Sequence, residues 1–183
     1  MPRLFTALTL PEDVRMWMTG LRGGLRNARF IDPENYHVTL RFIGDVDERV
    51  ADEVAHTLSR IRRAPVPVTI SGLGSFGNKK QPHSVWARVE PTPELMELQA
   101  DQERALQRMG LPAEARRFTP HVTIARCKGA TSREVADWLT VRGAFCAPPF
   151  VAEEFALLSS RASVGGGPYV TEDVYPLNLA RAA

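Results

Sequence analysis

The sequence predicts an α+β fold, mostly antiparallel, with a duplicated plan. Three observations carry this. Runs that alternate polar and apolar residues are interspersed with segments of helical apolar periodicity. Each half of the chain repeats the order helix, strand, helix, strand pair. The strand at the middle of each half opens on one tripeptide, His37-Val38-Thr39 in "NYHVTLRF" and His121-Val122-Thr123 in "TPHVTIAR". A chain of 183 residues is one domain or two small lobes over a shared core. We read a single domain of two pseudo-symmetric lobes, about 1–91 and about 92–183, divided near "EPTP", with interleaving of strands allowed.

The elements follow in order. "RLFTALTL" alternates as a strand and Pro11 ends it. In "PEDVRMWMTGLRGGLRN", Val14, Trp17, Met18, Leu21 and Leu25 fall at helical spacing behind acidic residues. "DPEN" is a turn, and "YHVTLRF" a strand with Tyr36, Val38, Leu40 and Phe42 on one face. "DERVADEVAHTLSRI" is a helix with Val50, Val54, Leu58 and Ile61 as its buried stripe. "VPVTISGLGSF" and "HSVWARVE" read as a hairpin. Thr92 caps the next helix, Pro93 starts it, Leu95, Leu98, Leu106 and Met109 form its apolar stripe, and Gly110 stops it. "FTPHVTIARC" is a strand, "TSREVADWL" opens a helix with the capping box Thr131–Glu134, and "FVAEEFALLSS" and "YVTEDVYPL" close the chain as strands.

Composition excludes several classes. Hydrophobic residues at 44% and charged residues at 24% allow a full core and argue against disorder. A net charge of +2 permits an anionic ligand without demanding one. Cys127 and Cys146 show no metal spacing and no CxxC, so they read as free thiols. The opening strand is too short to span a membrane and carries no basic, long-apolar leader. The expectation is a soluble, cytoplasmic protein acting as a monomer.

The repeated tripeptide carries the chemistry. Along a strand, His37, Thr39 and Arg41 point one way while Val38 and Leu40 point the other; His121 and Thr123 likewise oppose Val122 and Ile124. A lone strand histidine is ordinarily a satisfied polar residue. Here two of the four histidines begin the same tripeptide at matched places. Two such wet faces meeting across a pseudo-twofold would gather two imidazoles and two hydroxyls, a set suited to in-line displacement at a phosphodiester. A neutral imidazole takes a proton from the attacking water, and a protonated one gives a proton to the leaving oxygen. Threonine hydroxyls donate to non-bridging oxygens. The set needs no metal and no cofactor, and no acidic cluster adjoins either histidine.

The same stretches resemble the 2H phosphoesterase superfamily, marked by two H-x-[TS]-x motifs, and within it the RNA 2′,3′-cyclic phosphodiesterase (2′-5′ RNA ligase-like) family. The resemblance runs through "RLFTALTLPEDV", "PENYHVTLRFIGDV", "GLGSFGN", "RFTPHVTIAR" and "LLSSRASVGGGPYVTEDVYPL". It implies a bilobal fold around a cleft and metal-free opening of a 2′,3′-cyclic phosphate at an RNA end or in a small cyclic nucleotide, leaving a 2′-phosphate. It assigns His37 and His121 as the catalytic pair and Thr39, Thr123 and Arg126 as phosphate ligands; for a leaving 3′ oxygen we take His37 as proton donor and His121 as acceptor, the reverse order being open to a pseudo-symmetric pair. Phe30 stands where many relatives carry tryptophan.

Two tensions remain in the alternation. It puts Arg126 on the Val122 face, so that only a bend or bulge brings it to the phosphate, and it makes Arg41 a rival phosphate ligand beside His37. Phe76, in a glycine loop, and Phe42, on the apolar face, are base-stacking candidates. Arg116 and Arg117 are placed at the mouth of the cleft, and Tyr169 either touches the ligand or anchors the last strand. The rival functions are 2′-5′ ligation by the same residues and non-catalytic binding of RNA ends or nucleotides.

Overall fold

The alternating segments form strands and the helical-period segments form helices in a computed structural model that describes residues 2–78, 80–160 and 167–179. The order is β1 (Arg3–Thr9), α1 (Glu12–Met18), β2 (Ala28–Phe30), β3 (His37–Asp45), α2 (Glu48–Leu58), β4 (Val66–Val68), β5 (Ile70–Gly77), β6 (Pro82–Val89), α3 (Pro93–Arg108), β7 (His121–Cys127), α4 (Ser132–Arg142), β8 (Phe150–Ala152), β9 (Glu154–Ser160) and β10 (Tyr169–Pro176). Short 3-10 turns cover Thr19–Leu21 and Pro33–Asn35. Within the closing motif, residues 161–166 lie outside the described residues.

Capping chemistry sets the helix starts. Thr92 Oγ1 accepts from the Leu95 amide at 3.4 Å, with Pro93 as first helical residue. Thr131 and Glu134 form the full capping box: the Glu134 amide donates to Thr131 Oγ1 at 3.2 Å, and the Thr131 amide to Glu134 Oε2 at 2.7 Å. Such caps stabilise a helix by roughly 1 kcal/mol.

Four local features depart from the sequence reading. The run 66–77 breaks at Thr69 and the run 150–160 at Glu153. The first piece of each leaves the main sheet, and β4 and β8 pair with one another instead. The break carbonyls are satisfied from outside their strands, Thr69 O by the Glu90 amide at 2.9 Å and Glu153 O by the Leu177 amide at 2.7 Å. The short strand β2, too brief to show a period, exists by pairing with β7. Trp17 is 59% exposed, because α1 stops at Met18 and only Val14 and Met18 turn inward; its indole N–H donates to Cys146 O at 2.8 Å. Gln102 is fully buried among the α3 leucines and meets Thr6 Oγ1 at 2.5 Å.

Sheet topology places the motifs. The strand order is β10-β9-β1-β3-β7-β6-β5, with β2 also on β7. The two antiparallel halves of this eight-stranded sheet meet at β3–β7, through the register pair Val38↔Val122. The first HVT strand thus neighbours β1 and, beyond it, the C-terminal β9 and β10; the second neighbours β6 and β5 from earlier in the chain. A cut near residue 91 would separate β6 from its hydrogen-bonded partner β7. Val38, Leu40, Val122 and Ile124 face the core, with α3 packed behind β3, and α4 behind β5 and β6. The opposite face of the sheet is left to line a cleft.

Candidate active site

Both HVT histidines line one cavity of about 780 Å³, together with Thr39, Thr123 and Arg126. Each ring is held by the same local device. His37 Nδ1 lies 2.8 Å from Asn35 O, and His121 Nδ1 lies 2.7 Å from Thr119 O. A carbonyl only accepts, so Nδ1 carries the hydrogen in both rings and Nε2 is the atom left to exchange protons. The Pro33–Asn35 turn aims the first carbonyl, and the extended lead into β7 supplies the second. His37 Nε2 also sits 3.0 Å from Thr39 Oγ1, so imidazole and hydroxyl of one motif are adjacent.

Two matched bulges decide what else reaches the cleft. Along β3 the register passes from Ala7↔Thr39 to Thr6↔Arg41, leaving Leu40 as the extra residue. Along β7 it passes from Trp86↔Thr123 to Val85↔Ala125, leaving Ile124 extra. A bulge shifts the alternation by one. Arg126, opposite Ser84, therefore returns to the face of His121 and Thr123. The same shift reverses both alternation-based expectations in β3. Arg41 turns toward the core and is only 5% exposed. Although it touches the cavity wall, its guanidinium donates to the Glu103 carboxylate, Phe42 O and Pro112 O, so its donors are committed elsewhere than to a phosphate. Phe42, expected in the core, opens on the cleft at 40% exposure. Phe42 holds in β3 the place that Arg126 holds in β7.

Aromatic rings from neighbouring strands flank both imidazoles. His37 lies between Phe5, with centroids 5.1 Å apart, and Tyr169, edge-on at 5.0 Å. His121 lies between Phe76, edge-on at 4.8 Å, and Trp86 at 5.6 Å. Phe76 thus borders His121, and Tyr169 both lines the cavity and begins β10. Phe5 and Trp86 were not foreseen: they come from other strands, and only β1–β3 and β6–β7 pairing brings them in. Gly74 makes room for Trp86, since a Cβ there would lie 2.3 Å from the indole. Phe30 instead packs toward Trp138 behind the sheet, at 6.5 Å between centroids.

This packing strips water from the imidazoles. Desolvation, with smaller contributions from His121 and Arg126, pushes His37 down to about 4. His121 is also lowered, first by burial and then by Arg126 and Arg116. Both rings are therefore neutral in the empty site at pH 7, and an arriving phosphate anion favours return of a proton. Among the described residues no group of three or more His, Cys, Asp or Glu side chains could hold a metal ion, and no helix is long and apolar enough to cross a membrane.

A bilobal antiparallel α+β sheet with paired H-x-T-x strands facing one cleft is the fold of the 2H phosphoesterases. The sequence model of the 2′-5′ RNA ligase superfamily matches residues 10–163, and the chain belongs to that superfamily. The RNA 2′,3′-cyclic phosphodiesterase of Methanothermobacter thermautotrophicus is 34% identical over 140 residues, 72% of this chain and 74% of the relative. That of Aquifex aeolicus is 32% identical over 153 residues, 81% of each. That of Aeropyrum pernix reaches 43% identity, but over 55% of this chain and 57% of its own length. Among solved structures, TT0787 of Thermus thermophilus superposes with TM-score 0.77 at 25% identity, covering 96% of this chain and 97% of that one. E. coli LigT without ligand superposes with TM-score 0.77 at 22% identity, covering 97% and 99%, a likeness of fold.

Proposed function

We propose that this protein hydrolyses 2′,3′-cyclic phosphates at RNA ends, or in small cyclic nucleotides, to 2′-phosphates by a metal-independent two-histidine mechanism. The observation that carries the reading is the matched presentation of two Nδ1-anchored imidazoles, each beside a threonine, on one cleft wall. The names of the relatives support the substrate class.

In the proposed step, Nε2 of His121 removes a proton from water as the water oxygen bonds to phosphorus. The bond from phosphorus to O3′ breaks, and Nε2–H of His37 gives its proton to that oxygen. The product carries a 2′-phosphate and a free 3′-hydroxyl. Thr39, Thr123 and Arg126 hold the non-bridging oxygens as charge builds. The anionic phosphate between the rings offsets the desolvation and the Arg126 field that lower both imidazoles, which lets one of them carry the proton the leaving oxygen needs. Phe76 and Phe42 offer faces on which the terminal base stacks.

The test is product analysis on a 2′,3′-cyclic-phosphate substrate in excess chelator. Formation of the 2′-phosphate at an undiminished rate supports the reading. A 3′-phosphate product reverses the leaving group, and loss of activity in chelator removes the metal-free mechanism. Supplying an RNA with a free 5′-hydroxyl and recovering a 2′-5′ linkage would identify ligation by the same displacement.

A further inference from the structure

Five arginines line the catalytic cavity: Arg3, Arg41, Arg116, Arg117 and Arg126. Three of them face carboxylates. Arg3 pairs with Asp45 at 2.9 Å, Arg41 with Glu103, and Arg116 with Glu114 at 3.2 Å. Arg117 and Arg126 form no ion pair among the described residues. Two uncompensated cations thus line the cavity, Arg126 at the end of the second motif and Arg117 ahead of it in the chain. A single cyclic phosphate accounts for the first only.

The segment that carries Arg117 is fixed. The Leu111 amide donates to Leu106 O at 3.1 Å, which ties the segment to the end of α3. Arg41 donates to Pro112 O, and the Glu114 amide donates to Glu103 Oε1 at 3.0 Å. The Glu114 carboxylate accepts from the amide and from Nε of Arg116, both at 3.2 Å. At the far end Thr119 O holds His121 Nδ1 at 2.7 Å. Arg117 lies between these anchors in the chain and lines the cleft. The exposed Phe42 and the half-buried Phe118 line the same cavity as Arg117. An unpaired cation and aromatic rings lining one cavity with a phosphate-reacting centre are the groups that receive a further nucleotide of a single strand.

We propose that Arg117, assisted by Arg116, forms a subsite for the phosphate on the 5′ side of the terminal nucleotide, so that the cleft is built for the end of an RNA chain rather than for a mononucleotide. Arg116 contributes less, because Glu114 already neutralises it. This rests on the cyclic phosphodiesterase reading and names its substrate class.

The experiment compares the protein with Arg117→Gln on two substrates, a 2′,3′-cyclic mononucleotide and a short RNA oligomer ending in the same cyclic nucleotide, over a salt series. The expected result is that the unaltered protein prefers the oligomer, and that R117Q loses about tenfold in kcat/KM on the oligomer with the mononucleotide unchanged. The slope of log kcat/KM against log salt for the oligomer should become shallower by about 0.7, the value for one phosphate contact on a single strand. Equal losses on both substrates, or none on either, overturn the subsite. Should the unaltered protein turn over neither substrate, the phosphodiesterase reading fails by itself. Fluorescence anisotropy with a 3′-phosphorylated oligomer and its mononucleotide then decides the subsite, since only weakened oligomer binding by R117Q sustains it.

Discussion

Val38 and Val122, the middle residues of the two HVT tripeptides, are register partners across β3 and β7. In an antiparallel pair this sets each histidine toward the other motif's threonine. The pseudo-twofold therefore runs through the cleft that both motifs line. It is broken where it matters for recognition, with Arg126 at one end and Phe42 at the equivalent place in the other strand.

Arg126→Gln should lower kcat/KM by about 10–100-fold, as expected for loss of one charge-assisted contact to the developing oxyanion. Because Arg126 adjoins the reacting phosphate, the loss should be alike for mononucleotide and oligomer, in contrast with Arg117→Gln. Steady-state kinetics on both substrates checks this, and a loss confined to the oligomer would remove Arg126 from the reacting centre.

The pH profile follows from the lowered imidazoles. His37 lies at about 4 and His121 below its usual value, in the free protein. A reaction that needs one imidazolium and one imidazole is best between these two values. The profile of kcat/KM, which reports the free protein, should be bell-shaped with its optimum below pH 6.5. Above both values it should fall tenfold per pH unit. A profile flat from pH 6.5 to 9 would contradict the acid–base pair.

The same shift makes a stability prediction. A histidine whose folded value is lowered binds its proton more readily in the unfolded chain, so stability is full above pH 6.5 and is lost as pH falls toward about 4. For His37 the loss is at most about 3 kcal/mol, from its fall to about 4. Denaturant midpoints between pH 7 and 4 should fall less steeply for His37→Gln than for the unaltered protein, and parallel curves would count against burial as the cause.

Arg41 is a bracing residue in this account. Arg41→Met takes the cation from Glu103, leaving that carboxylate the Gln107 and Glu114 donors, and frees two carbonyls, which should cost about 1–3 kcal/mol. The double variant Arg41→Met/Glu103→Leu should recover part of this in a double-mutant cycle by urea unfolding. A single-variant cost under about 0.5 kcal/mol would show the pair to be dispensable.

Gly74→Val tests the packing around His121. Its side chain would enter the space of the Trp86 indole, 2.3 Å from where a Cβ would stand. The expected result is a destabilisation of about 1–3 kcal/mol together with a lower kcat, read by unfolding and by kinetics. Unchanged values for both would mean that the indole moves freely.

Much of this was legible in the sequence. His37, Thr39, His121 and Thr123 were found because the tripeptide recurs, and Thr92 and Thr131 because caps have local signatures. What escaped was set by distant partners. The bulges at Leu40 and Ile124 turn Arg41 inward and Arg126 and Phe42 outward, and strict alternation has no term for an inserted residue. One local sign was present: Ile124 and Ala125 are consecutive apolar residues, which a regular half-buried strand does not need. The inward turn of Arg41 makes sense only with Glu103, far along the chain on α3. Gln102 reads as polar, yet it continues the stripe of Leu98 and Leu106, which would have marked it as buried. Phe5 and Trp86 carry no motif and join the site through strand pairing.

The central claim is that His37 and His121 act as one acid–base pair on one phosphate. Single-turnover rates for the unaltered protein, His37→Ala, His121→Ala and the double variant, on an RNA end bearing a 2′,3′-cyclic phosphate with chelator present, test it most directly. The account predicts that each single variant loses at least about 10²–10⁴ in rate, that the double variant is scarcely worse than either because the two act as a unit, and that all remain folded. A single variant that keeps near-normal turnover, or losses that multiply in the double variant, would contradict it.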